Sequence, residues 1–192
     1  GEEKTIALAV RAVLGMEDIG EEPAVVVNYS TSRMVDDVCA EFDAKLYRSP
    51  VGEINVVETM KQADAVIGGE GSGGVIYPAC HYGRDSLVGI ALILKLMAES
   101  GKTLTQLSSE FTDYKMIKLK KEFHGDFTET IDKIEKEFPI DSVTRDDGIK
   151  IDLEEGWVQL RTSNTEPIVR IIAEARSQEE AKELADKIMG LL

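Results

Sequence analysis

The chain has 192 residues, 43% hydrophobic and 30% charged, enough apolar material for one large or two modest packed cores. A formal net charge of −14 repels a phosphate backbone and argues against nucleic-acid binding, and the longest strongly apolar stretch, residues 87–98, is interrupted by Lys95 and too short to cross a bilayer. Cys39 and Cys80 lie far apart with no second ligand at metal spacing, and no basic-then-apolar leader opens the chain, so the expectation is a soluble cytoplasmic protein without a disulfide framework or metal cluster.

Taken in order, the first half alternates helix and strand signals. Ile6, Val10, Val13 and Leu14 form a helical stripe, residues 24–28 are a short β-branched run, and Met34, Val35, Val38, Cys39 and Phe42 repeat at helical spacing after Ser30 and Thr31, which can cap. Residues 44–48 read as a strand, 53–61 as a helix with Ile54, Val57 and Met60 inside, and 64–68 as another strand. Strands between helices imply crossovers and a largely parallel sheet. Beyond a glycine cluster, residues 75–77 are a short strand, 85–99 an apolar helix and 103–110 a short helix. From 114 to 126 the composition turns lysine-rich and polar, as expected of a strand or linker joining two domains. The grammar then changes. Phe127, Ile131, Ile134 and Phe138 make a helical stripe, and residues 140–145 and 148–153 are strands joined at Asp146-Asp147-Gly148. Residues 156–161 and 168–175 are two more strands, and Ser177 with Glu180 is a capping box opening a last helix. Helix, four strands, helix describes a small α+β domain with an antiparallel sheet.

Two stretches carry chemistry. Arg161 to Pro167, between two strands, offers a guanidinium fork with hydroxyl, amide and backbone donors on Ser163, Asn164 and Thr165. Composition alone fits a phosphate clamp and an ordinary polar hairpin loop equally. Gly68 to Gly74 has five glycines in seven positions, with Glu70 and Ser72 as its only hydrogen-bonding side chains. A carboxylate that accepts from vicinal hydroxyls suits a sugar, a flexible loop is the plainer alternative, and phosphate binding is opposed by Glu70 and by the missing Gly-Lys-Ser/Thr ending. The Cys80-His81 pair reads better as a small residue and a loop histidine than as a reactive pair.

The strings GGEGSGGVIYP, HYGRDSLVGIAL and RTSNTEPIVR, with NYSTSRMVDDV and RSPVGEINVVETM, resemble the α-D-phosphohexomutase superfamily of phosphoglucomutase, phosphomannomutase and phosphoglucosamine mutase, across nearly the whole chain. The resemblance implies the C-terminal half of such an enzyme. Residues 1–115 would be an α/β/α third domain with a mixed, largely parallel sheet, and residues 122–192 a small α+β fourth domain resembling the TATA-binding-protein fold with an antiparallel sheet. It further implies that Glu70 and Ser72 bind sugar hydroxyls and that Arg161, Ser163, Asn164 and Thr165 bind the phosphate not being transferred, with Glu53 a further candidate where some members place a histidine. Many bacterial members also carry a histidine at the position of Gly74.

The family's phosphoserine loop, Thr-x-Ser-His-Asn-Pro, and its magnesium loop, Asp-x-Asp-x-Asp-Arg, do not occur here. The expectation is therefore no catalytic residue and no metal site in this chain, which would work with upstream domains 1 and 2 that hold Mg2+. Its ligands would be a hexose phosphate and a hexose 1,6-bisphosphate, with no nucleic acid and no membrane. A stand-alone, non-catalytic sugar-phosphate binding module is the alternative. A Rossmann-type nucleotide binder is disfavoured because Asn28 to Ser32 contains no glycine.

Overall fold

Val25, Val26 and Val27 are wholly buried, as an apolar run without alternation requires of a strand covered on both faces. They belong to the first of two units, Gly1–Thr112 and Asp113–Leu192, in a computed structural model that describes residues 1–139, 142–163 and 166–192. In chain order the first unit holds α1 (Glu2–Leu14), β1 (Ala24–Asn28), α2 (Met34–Glu41), β2 (Lys45–Ser49) and α3 (Glu53–Gln62), then β3 (Ile67–Glu70), β4 (Gly74–Ile76), α4 (Ser86–Ser100) and α5 (Leu104–Ser109). Its sheet runs β2-β1-β3-β4, with β1 parallel to both β2 and β3, and β4 antiparallel to β3. This is the expected mixed, mostly parallel sheet.

Helices cover both faces. On one, Val56 and Met60 of α3 pack with Ala24, Val26 and Ile76; on the other, α1 lies against β3 and β4. Two adjacent glycines allow this closeness. A Cβ on Gly68 would stand 2.5 Å from Met60 Sδ, and one on Gly69 would stand 2.7 Å from Ile6 Cδ1.

Three local expectations change. The strand expected over 64–68 is β3, Ile67–Glu70, because Asp64 takes a left-handed φ of 49° and closes α3, with the Ala65 N–H reaching Met60 O at 2.9 Å. The glycine stretch is thus less a loop than a hairpin: Gly68, Gly69 and Glu70 are in β3, Gly74 opens β4, and only residues 71–73 turn. Ser30 and Thr31 do not cap α2. The Thr31 hydroxyl donates to Asn28 Oδ1 at 2.9 Å, and Ser32 Oγ accepts from the Met34 N–H at 3.2 Å.

The second unit contains β5 (Lys115–Glu122), α6 (Phe127–Glu135), β6 (Val143–Thr144), β7 (Ile149–Asp152), β8 (Gly156–Thr162), β9 (Ile168–Ala175) and α7 (Gln178–Met189). The sheet order is β5-β9-β8-β7-β6, all antiparallel. The lysine-rich stretch is therefore a fifth strand, paired with β9 along its whole length. Of the strand expected over 140–145, only β6 is seen, residues 140 and 141 lying outside the described residues. One sheet face, with Ile149, Ile151, Val158, Leu160 and Ile171, shares a core with Ile131 and Ile134 of α6 and Leu184 and Ile188 of α7. Both helices begin at side-chain caps: Asp126 Oδ1 accepts from the Thr128 and Glu129 N–H groups, and Ser177 and Glu180 form the capping box.

Among the described residues no helix is long and apolar enough to cross a membrane. Cys39 is buried on α2, where burial pushes its thiol up to about 12, whereas Cys80 is exposed.

Candidate functional site

The end of β3 delivers Glu70 into a pocket of buried polar groups made by the neighbouring strands. Asn28 at the end of β1, Thr31 and Ser32 beyond it, and Ser49 at the end of β2 are all at most 3% exposed, and Glu70 itself is 5% exposed. A buried carboxylate needs partners. Its Oε1 accepts from Asn28 Nδ2 at 3.0 Å and from the Gly52 N–H at 3.2 Å, while Oε2 accepts from Arg84 Nη1 at 2.8 Å. Asn28 is in turn oriented through its Oδ1, which takes the Ser30 N–H and the Thr31 hydroxyl. Parallel pairing is what gathers these groups: β1, β2 and β3 end on the same side of the sheet, so residues far apart in sequence converge at their carboxyl ends.

Beside Glu70 lies an open depression of about 380 Å³ lined by Glu53, Ser72, Gly73, Gly74, Arg84, Asp85 and Ser86. Glu53, at the start of α3, accepts from Arg84 Nε at 2.7 Å. That bond holds the Glu53 carboxyl below the usual carboxylate range. Asp85 caps α4 by accepting from the Leu87 and Val88 N–H groups, and its other oxygen meets His81 Nε2 at 3.1 Å. The His81 bond, followed by those two amides, lowers the Asp85 pKa. His81 therefore serves Asp85, in keeping with the loop-histidine reading of the Cys80-His81 pair.

In the second unit Arg161 sits near the end of β8, its side chain 16% exposed, with Nε 3.3 Å from Asp147 Oδ2. Asp147 belongs to the turn before β7, where Gly148 has φ 72° and a Cβ would meet Leu160 O at 2.1 Å. Across the loop the Ser163 N–H donates to Ile168 O at 3.0 Å, so Ser163 stands at the mouth of the β8–β9 hairpin. Asn164 and Thr165 lie outside the described residues.

The structure thus brings Glu70, Ser72 and Glu53 together around one end of the first sheet, and Arg161 and Ser163 at one end of the second. Reading the sequence missed Asn28, Arg84 and Asp147. Arg84 had one visible signal, its place in HYGRDS directly before the capping Asp85. Among the described residues no group of three or more His, Cys, Asp or Glu side chains is placed to hold a metal ion.

Comparisons with known proteins match both units. A model of the phosphoglucomutase/phosphomannomutase alpha/beta/alpha domain III covers residues 2–114, and one of the phosphoglucomutase/phosphomannomutase C-terminal domain covers residues 116–191. The chain is 36% identical over 195 residues to a phosphoglucomutase/phosphomannomutase of Thermococcus kodakarensis, covering 99% of itself and 41% of that relative. It is 30% identical to a "Probable phosphoglucosamine mutase" of Methanopyrus kandleri, covering all of itself and 42% of that relative. In fold it is similar to a phosphoglucomutase/phosphomannomutase family protein from Burkholderia thailandensis, with a TM-score of 0.79 at 20% identity over 99% of this chain and 41% of that one. The chain therefore spans about two fifths of the length of the curated relatives it matches.

Proposed function

This chain belongs to the phosphoglucomutase/phosphomannomutase family through domain III and the C-terminal domain, and from that premise we propose that it is the sugar-phosphate-binding part of a phosphohexomutase. The whole enzyme would interconvert a hexose 6-phosphate and a hexose 1-phosphate through a phosphoserine and a hexose 1,6-bisphosphate, with glucosamine or mannose phosphate as the leading substrates. The observation that carries this reading is the buried, three-fold hydrogen-bonded Glu70 at the mouth of a hairpin whose tip presents Ser72 to an open depression.

The hairpin of Glu70 and Ser72 takes sugar hydroxyls, and the Arg161 loop, with Ser163, Asn164 and Thr165, takes the phosphate that is not transferred. Such a division suits a reaction in which the bisphosphate must be held in two orientations. Hydroxyls in the middle of the ring look alike after the flip, and either phosphate can occupy the same arginine fork. Phosphoryl transfer depends on a nucleophile and on neutralising charge at the moving group. The reading assigns the phosphoserine and Mg2+ to upstream domains 1 and 2, and the 192-residue chain alone should show no mutase turnover.

Calorimetric titration tests this. On a chain of net charge −14 an oxyanion binds only where donors converge at short range, because the long-range field opposes it. Inorganic phosphate should bind the wild type and lose affinity by roughly 10- to 100-fold in Arg161→Ala, the loss of a hydrogen bond to a charged group. Arg161→Lys should fall between, since an ammonium cannot reproduce a two-pronged contact. Glucosamine 6-phosphate or mannose 6-phosphate should bind more tightly than phosphate. Equal phosphate affinity in wild type and Arg161→Ala would reduce the loop to an ordinary turn.

A further inference from the structure

Asp147 stands where an anion site gains nothing from its charge. Its carboxylate lies against Arg161, whose Nε is 3.4 Å from Oδ1 and 3.3 Å from Oδ2, and a negative charge there repels any phosphate that the arginine attracts. The two side chains are only 16% and 17% exposed, so this is not a bridge that water screens away. Both contacts go to Nε. They leave out Nη1 and Nη2, the pair of nitrogens that can meet two phosphate oxygens side by side.

Asp147 is itself fixed from two sides. Gln159, wholly buried, donates its Nε2 to the Asp147 backbone O at 3.1 Å and to Oδ2 at 3.3 Å. Gln159 and Arg161 are two residues apart on β8 and share a face of the sheet, so a single carboxylate serves both. The turn comes this close because residue 148 is glycine at φ 72°. One step beyond the Ile149–Leu160 pair, a Cβ at 148 would stand 2.1 Å from Leu160 O and 2.9 Å from Arg161 Cα. An unrestrained arginine samples many rotamers, and a ligand that binds it must first gather them. We propose that Asp147 is a positioning residue for the phosphate site: it holds the Arg161 guanidinium by Nε, so that Nη1 and Nη2 stand ready as a pair before a phosphate arrives. The proposal rests on the phosphate-binding reading of Arg161 above and adds the group that aims it, which touches no ligand itself.

The two effects of Asp147, repulsion and aim, have opposite signs, and a phosphate titration separates them. On the 192-residue chain, calorimetry should find phosphate affinity about fivefold lower in Asp147→Ala, the cost of immobilising one long side chain on binding. Asp147→Asn keeps an acceptor for Nε and drops the charge, so it should bind within about twofold of wild type or more tightly. A second measure uses nitrogen-15 labelled arginine in the wild type without phosphate, with the Arg161 signal assigned by its absence in Arg161→Lys. The Arg161 Nε–H should exchange with water about tenfold more slowly than that of the exposed Arg176. Tighter binding in both Asp147 variants, or an Arg161 Nε–H that exchanges as fast as that of Arg176, would overturn the proposal and leave Arg161 a phosphate ligand. Wild-type affinity in Arg161→Ala would overturn the phosphate reading and this proposal with it. The exchange is read on the wild type, so a folding defect in Asp147→Ala would not spare the proposal.

Discussion

Gly69→Ala is expected to destabilise the first unit by on the order of 3 kcal/mol, through overpacking that the site cannot relax. The added methyl would stand 2.1 Å from Gly74 O and 2.7 Å from Ile6 Cδ1. The first obstacle is backbone of the neighbouring strand, next to the Glu70–Gly74 pairing, so relief requires β4 to leave its partner. The second lies on α1, whose Ile6 is wholly buried. Because each unit has its own core, calorimetry should resolve two transitions, and only that of the first unit should move, by roughly 10 °C or more at this domain size. Gly190→Ala is the control, because a Cβ there meets nothing closer than 3.5 Å at a φ of −72° and should leave both transitions within a degree or two. Gly69→Ala unfolding like wild type would mean that the β3–β4 hairpin is not packed as described.

Glu70→Ala should have a comparable effect for a different reason. It removes the acceptor of three donors, and Asn28, 3% exposed, cannot turn to water for a substitute. The Gly52 N–H and Arg84 lose the same partner, but Arg84 is nearly half exposed and still bonded to Glu53, so its share is small. A loss of roughly 2–4 kcal/mol follows for unsatisfied buried groups of this kind. Glu70→Gln should lose less, because its amide oxygen can keep one pair of bonds while its NH2 faces a donor. Both variants should bind mannose 6-phosphate no better than inorganic phosphate, and phosphate affinity, which the proposed function assigns to the Arg161 loop, should stay as in wild type. A Glu70→Ala protein as stable as wild type would show that the polar pocket is solvated rather than sealed.

Much of this architecture could be read in advance where a local cause sets it. The apolar run of β1, the periodicity of α6 and α7 and the Ser177 capping box are decided by residues within a turn or two of one another. The bounds of β3 escape a local reading because two of its four residues are glycines, which show no alternation, and because nothing local announces that Asp64 adopts a left-handed φ. Residues 114–126 read as either a strand or a linker because the apolar positions of Lys115 to Glu122 are diluted by lysine, as happens on an edge strand. The candidate site divides in the same way. Glu70 and Ser72 stood out because glycines isolate them. Arg84 did not, since its partners are 31 and 14 residues away and only the fold brings them within reach. Asp147 passed as a turn residue because its second task, holding Arg161, is likewise set by pairing between β7 and β8.

The contrast between the two cysteines has a practical side. The thiolate is the form that attacks alkylating reagents, and Cys39, buried with its thiol pushed up to about 12, offers almost none at neutral pH, whereas Cys80 is exposed. A maleimide dye should therefore attach at a single position without any engineered cysteine. That position directly precedes His81, whose ring is bonded to Asp85 at the edge of the depression. The unaltered protein thus carries its own attachment point for a fluorophore, one residue before His81.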